Sequence, residues 1–250
     1  MSLLTNLVSY WKLDEASGTR NDTHGSNHLT DNNTVTSTSG KINNAAQFAN
    51  GNSEYLSCTS NSDLQTGDID FTFTAWIQPQ TSFPTGGEII VGKDVDTPSS
   101  SRDYTIDIRD TAGIRFYING GGTSIVTGPT LSLSTWYFVV AWHDAAANTV
   151  NLQVDNGTVN SSSTGGEVPQ TSGAEFRIGA RAYAGFEGYF NGLIDEVGFW
   201  KRTLTTQERS DLYNGGSGLA YSSFNPGDPA IGLIIRNKLR PRIFAPGRAR

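Results

Sequence analysis

Asp195 and Glu196 stand side by side in the run NGLIDEVGFW, residues 191–200, where the neighbouring side chains are apolar or absent. Carboxylates in such a run are rarely buried without a partner. Three kinds of chemistry would use them: an acid–base pair, a metal site, or hydrogen bonds that hold loops in place. Cleaving a glycosidic bond takes two carboxyl groups on one face, about 5–9.5 Å apart. In an extended strand adjacent side chains point to opposite faces, so period two predicts that Asp195 and Glu196 do not act on one bond. Hydrolase activity is therefore not expected.

Other reactive constellations are missing as well. No serine sits in a Gly-Xaa-Ser-Xaa-Gly elbow, and no phosphate-cradling glycine loop precedes a helix. INGGGTS, residues 118–124, lies between two alternating runs and reads as a hairpin turn. His24 and His28 are four apart in a Gly/Asn loop, His143 ends a strand alone, and Cys58 is the single cysteine. That spacing does not make a zinc site, and the imidazoles are expected at the surface.

The elements that must position any site are strands. FTFTAWIQP places Phe71, Phe73, Ala75 and Ile77 on one face and Trp76 on the other. YTIDIRD and IRFYING alternate in the same way, TWYFVVAWHD is apolar on both faces, and TVNLQVDNG ends in a turn at Asp155-Asn156-Gly157. Such runs, separated by Gly, Asn, Asp and Ser, predict an antiparallel sandwich or barrel. One short helix is expected in TTQERSDLYNGG, with Thr205 as N-cap, Glu208 completing a capping box and Asn214-Gly215 as the stop.

Charge divides the chain. Residues 1–224 hold 12 Lys/Arg against 23 Asp/Glu, a balance of −11, whereas residues 225–250 have a balance of +5. That end begins with the breaker cluster Asn225-Pro226-Gly227-Asp228-Pro229 and then mixes Ile234, Ile235, Leu239, Ile243 and Phe244 with Arg236, Arg240 and Arg242. The acidic body disfavours nucleic acid. Pro241 and Pro246 block an amphipathic membrane helix, and no apolar run approaches a membrane span. The expectation is an extended arm, residues 225–250, docking through those eight side chains on other subunits of an assembly. Burial of its apolar residues, at about 1.5–3 kcal/mol each before ordering costs, would suffice to hold it.

The order of five segments resembles the laminin-G-like, concanavalin A-like lectin/glucanase superfamily over roughly residues 7–222. They are LVSYWKLDEASGTRNDTHGSNHLT, GKINNAAQF, FTFTAWIQP, TWYFVVAWHDAAANTVNLQVDNG and FRIGARAYAGFEGYFNGLIDEVGFWKRTLTTQERSDLYN. The resemblance implies an all-β jelly roll of two stacked antiparallel sheets over residues 1–224. It also implies a structural Ca²⁺ held by Asp22, by carbonyls around Gly25 and Asn27, and by Asp195. The competing reading is that Asp195 and Glu196 cap loop N–H groups or pair with Lys41, Arg181 or Lys201. For a glycan, the rim loop GARAYAGFEGYFNG offers Arg181, Tyr183, Phe186 and Tyr189, with Trp76 a second candidate; edge packing is the alternative role. With no signal peptide visible and with the basic arm, the chain resembles virion components of tailed bacteriophages, made in the host cytoplasm. The expected function is that of a non-enzymatic decoration protein displaying a lectin-like head; the alternative is a free carbohydrate-binding module.

Overall fold

A computed structural model describes residues 2–81, 86–94, 102–110, 113–119, 124–182 and 187–224. The predicted arm, Tyr183 and Phe186 lie outside these residues. Strands, numbered along the chain, form two antiparallel sheets. The eight-stranded sheet runs β13 (Asn160–Ser163), β12 (Thr149–Val154), β11 (Tyr137–Asp144), β6 (Phe71–Pro79), β15 (Gly192–Trp200), β4 (Asn44–Phe48), β3 (Thr36–Ser39), with β1 (Leu7–Trp11) also paired to β15. The seven-stranded sheet runs β10 (Ile125–Thr127), β9 (Gly113–Ile118), β8 (Arg102–Arg109), β7 (Glu88–Asp94), β14 (Phe176–Ile178), β5 (Tyr55–Cys58), β2 (Thr30–Asn32).

Period two explains the core between the sheets. Phe71, Phe73, Ala75 and Ile77 of β6 meet Tyr104, Ile106 and Ile108 of β8, Ile114, Phe116 and Ile118 of β9, and Phe176 of β14 in one cluster. The turn at Asp155-Asn156 has both residues at positive φ (51° and 55°), the twist-matched form that a tight hairpin favours. The helix expected from sequence is α1 (Thr206–Tyr213); the Thr205 side chain accepts from Glu208 N and the Glu208 carboxylate from Thr205 N, the full capping box.

A second apolar cluster lies on the other side of the eight-stranded sheet. There Tyr10, Trp76, Phe138, Val140, Trp142 and Trp200 are covered by Leu3 and Leu7 from the N-terminal segment and by Leu204, Leu212 and Phe224 from the C-terminal one. Trp76 is buried there, stacked on Tyr213 at 5.9 Å with Lys41 Nζ 4.4 Å from its ring centroid, so the packing role wins over the ligand role. His143, expected at the surface, is buried, its Nδ1 2.9 Å from the Ile69 carbonyl. It belongs to an inner strand that is covered on both faces.

Candidate functional site

The acidic pair sits where β15 changes partner. Gly192–Ile194 pair with β4, Val197–Trp200 pair with β1, and the register against β6 shifts between Asp195 and Gly198. Glu196 takes φ 50° in this bulge. Strict alternation therefore fails locally, because a bulge re-aims side chains: Ile194 and Val197 both enter the core between the sheets, which leaves Asp195 and Glu196 together outside it. What removes them from catalysis is burial, since they are 0% and 2% exposed. Asp195 Oδ2 accepts from Lys41 N (2.8 Å) and Ile42 N (2.9 Å), closing the loop before β4. Burial pushes Asp195 up to about 8, against those two N–H donors and with Glu196 and Asp14 adding to the rise. Burial likewise raises Glu196 to about 7; the Tyr10 hydroxyl opposes this without meeting hydrogen-bond geometry to either carboxylate oxygen.

The loop around Asp22 is likewise closed by the protein's own donors. Tyr10 N, His24 N and Gly25 N donate to Asp22 Oδ1 at 2.8–3.0 Å, and Asn27 N donates to Oδ2 at 3.1 Å. The Asn27 carbonyl accepts from Trp11 Nε1 at 2.6 Å. Asp22, Gly25 and Asn27 thus share one loop, but Asp22 and Asp195 share no hydrogen-bond donor. At the acidic pair Asp195 Oδ1 and both Glu196 oxygens are buried without a donor, whereas neither Asp22 oxygen is. Among the described residues no three His, Cys, Asp or Glu side chains group to hold a metal. The expected four-residue set does not fit calcium, whose six to eight oxygens must converge.

The outer face of the seven-stranded sheet is different in kind. Register places Thr105 between Gly92 and Tyr117, and Asp107 between Ile89 and Arg115, on the side away from the core. Arg115 grips Asp107 through Nε (2.7 Å) and Nη2, and Arg109 Nε reaches the same carboxylate at 3.4 Å. Asp94 is held between Arg102 Nε (3.1 Å) and Arg181 Nη1 (3.5 Å). Burial raises Asp94 to about 6, against both arginines. Arg181 also donates to the Tyr117 hydroxyl at 3.1 Å, and the Arg102 and Arg115 guanidinium carbons lie 5.8 and 5.5 Å from the Tyr117 ring.

Arg181 reaches this face because Gly92 has no side chain. A Cβ there would meet Arg181 Cβ at 2.9 Å and the Ala180 carbonyl at 3.3 Å. The loop after β14 is pinned by Arg181 N to Glu187 O (3.0 Å) and Phe190 N to Gly179 O (2.9 Å). Arg177 continues the row: it donates to the Arg181 carbonyl (3.2 Å), pairs with Glu175, and lies 4.3 Å over the Tyr55 ring, which in turn meets Tyr189 at 6.2 Å. Of the four ligand residues expected from sequence, Arg181 and Tyr189 are therefore joined through Arg177 and Tyr55. The residues sequence reasoning missed are Tyr55, Asp94, Arg102, Asp107, Arg109, Arg115, Tyr117 and Arg177. For Asp107, Arg109, Arg115 and Tyr117 the signal was the polar half of YTIDIR and IRFY, illegible without knowing which strands are neighbours.

This arrangement does not suit hydrolysis. Asp94 is opposite Arg102, and Asp107 lies five residues further along β8, about 16 Å at ~3.3 Å per residue. That exceeds the separation a glycosidase pair needs. Tyr117 is buried beneath its arginines, but the partly exposed Arg109, Arg177, Tyr55 and Tyr189 can instead hydrogen-bond hydroxyls and stack on sugar faces.

The comparisons agree with the two-sheet architecture. A family model described as the concanavalin A-like lectin/glucanases superfamily matches residues 50–208. The chain belongs to this superfamily. A search of curated proteins gives no match. Among solved structures, domain 4 of a GH43 extracellular arabinanase from Geobacillus stearothermophilus, in complex with arabinotriose, is similar at TM-score 0.62 and 16% identity; 82% of this chain and 97% of that one are covered. The binding domain of Paraclostridial Mosquitocidal Protein 1 gives TM-score 0.67 and 15% identity, with 86% and 53% covered. Trypanosoma rangeli sialidase gives 0.63 and 14%, with 86% and 34% covered, so the chain spans about a third of that enzyme. At these identities the likeness is one of fold.

Proposed function

We propose that residues 1–224 form a non-catalytic glycan-binding head, displayed on a virion-type assembly to which residues 225–250 tether it. The observation that carries this reading is the opposition of the two outer faces. The described chain ends at Phe224, packed on the eight-stranded sheet beside the N-terminal segment, where Ser2 Oγ donates to the Phe224 carbonyl at 3.4 Å. The arginine–tyrosine row lies on the outer face of the other sheet. A tether leaving from the back keeps such a face turned toward a ligand. The arabinotriose complex of the similar arabinanase domain supports a sugar as that ligand. The experiment is a glycan array probed with residues 1–224 and with a Tyr55→Ala variant of the same head. Retention of some glycan by the head and its loss in the variant is expected; a head that retains none contradicts the reading. A free lectin would bind equally on the array, but deleting residues 225–250 would then leave its incorporation into any particle unchanged.

A further inference from the structure

The glycan-binding reading leaves the ligand's chemistry open, and the charge on the front face narrows it. Residues 1–224 are acidic overall, yet on this face two buried aspartates each hold two arginines: Asp107 takes Arg109 and Arg115, Asp94 takes Arg102 and Arg181. With Arg177 on Glu175, the ion pairs among the described residues of this face set five arginines against three carboxylates. The rest of residues 1–224 has seven Lys/Arg against twenty Asp/Glu. One aspartate cannot neutralise two guanidinium groups, so among the described residues positive charge is left over at Asp107, between Arg109 and Arg115.

Arg109 is the member best placed to use that excess. Its side chain is 33% exposed, the most of the four arginines on the aspartates whose exposures are 33, 14, 13 and 7%. Only its Nε is engaged; its Nη1 and Nη2, like Nη1 of Arg115, have no acceptor among the described residues. Its stem lies against Gly87, where a Cβ would meet Arg109 Cγ at 3.0 Å and Nε at 3.3 Å. Gly87 has φ +92°, a conformation that glycine adopts without strain. Gly87 seats Arg109 as Gly92 seats Arg181, and Asp107 orients the fork. A guanidinium held in this way is preorganised for a planar anion, which it binds through paired N–H donors.

We infer that the front face selects an anionic glycan, one bearing carboxylate or sulfate groups, with Arg109 and Arg115 as the anion contact. The proposal rests on the glycan-binding reading above and deepens it.

The test is calorimetric titration of the full chain with oligogalacturonate and with the methyl ester of the same oligomer, which keeps the sugar backbone and removes the charge. A heparin-derived tetrasaccharide separates sulfate from carboxylate, and polyglutamate tests for an acidic peptide. Either anionic glycan is expected to bind at least tenfold more tightly than the ester, and to weaken as salt rises from 50 to 500 mM. Arg109→Gln should lose about tenfold toward the anionic glycan, and Arg109→Lys should recover part of it. Arg109 is partly exposed and at a strand end, so both variants are expected to fold, checked by an unchanged melting temperature. Equal affinity for acid and ester, or no effect of Arg109→Gln, would overturn the anion contact while leaving glycan binding standing. Equal, Arg109-dependent affinity for polyglutamate would overturn the glycan as ligand. Failure of every oligosaccharide, neutral or charged, would remove the underlying reading as well.

Discussion

The two sheets bury their outer faces by opposite means. The eight-stranded sheet is closed with hydrocarbon: Trp76, Trp142 and Trp200 under Leu204, Leu212 and Phe224. The seven-stranded sheet carries ion pairs, with Asp94 and Asp107 each between two arginines. Burying a large apolar side chain stabilises by about 1.5–3 kcal/mol. An ion pair at the surface contributes about 0–1 kcal/mol, and a buried pair often does no better than apolar residues of the same volume. Stability accounts for the back face and leaves the front face unexplained. Charged groups held in defined geometry at poor energetic return are what a binding surface requires.

The largest expected effect lies on the back. Trp200 is fully buried and donates from Nε1 to the Leu3 carbonyl at 2.7 Å. Trp200→Ala should cost about 3–5 kcal/mol in urea unfolding. Tyr55→Ala on the front should cost less than half of that while abolishing glycan retention. Equal losses would erase the distinction between a structural face and a binding face.

Next in size is the dependence on pH. Asp195, Glu196, Glu88 and Asp94 are raised to about 8, 7, 7 and 6, each chiefly by burial. A carboxyl with a raised native pKa binds protons that the unfolded chain has already lost, so stability falls with rising pH between the two pKa values. The melting temperature should therefore decline from pH 5 to pH 8, by several degrees. Glu196→Gln should flatten part of that slope without touching glycan binding. A melting temperature that rises over this interval would contradict the burial of these groups.

Gly92→Ala tests the front face alone. Its Cβ collides with the Arg181 stem, an overpacking worth about 1–3 kcal/mol, and the displaced loop should weaken glycan binding at least tenfold. Thr205→Ala, which removes the helix cap on the back, should cost about 1 kcal/mol and leave binding unchanged. Thermal unfolding and the same titration read both variants.

Much of the fold was legible because local rules and tertiary packing agree. The alternation in residues 71–79 named the core face of β6 correctly, and the capping box at Thr205 and Glu208 fixed where α1 starts. Two features defeated period two. The bulge at Glu196 left a pair expected on opposite faces together outside the core, and nothing in IDEV announces a positive φ. The front-face network joins the consecutive strands β7, β8 and β9 to β5 and β14, which lie far from them in the chain, so alternation alone did not show that their polar residues meet. Arg181 and Tyr189 were legible from the rim loop, but the residues that join them, Arg177 and Tyr55, were not. Calcium was an expectation of the resemblance alone, and the four N–H donors that close the loop around Asp22 could not be read from the sequence.

The most direct test of the account is an amide-resolved NMR titration of residues 1–224 with the glycan selected on the array. Perturbed amides are expected to cluster at Tyr55, Gly92, Asp107, Arg115, Arg177 and Arg181, with none around α1. Perturbations centred on Leu204, Leu212 and Phe224 would place the ligand on the back face and contradict it.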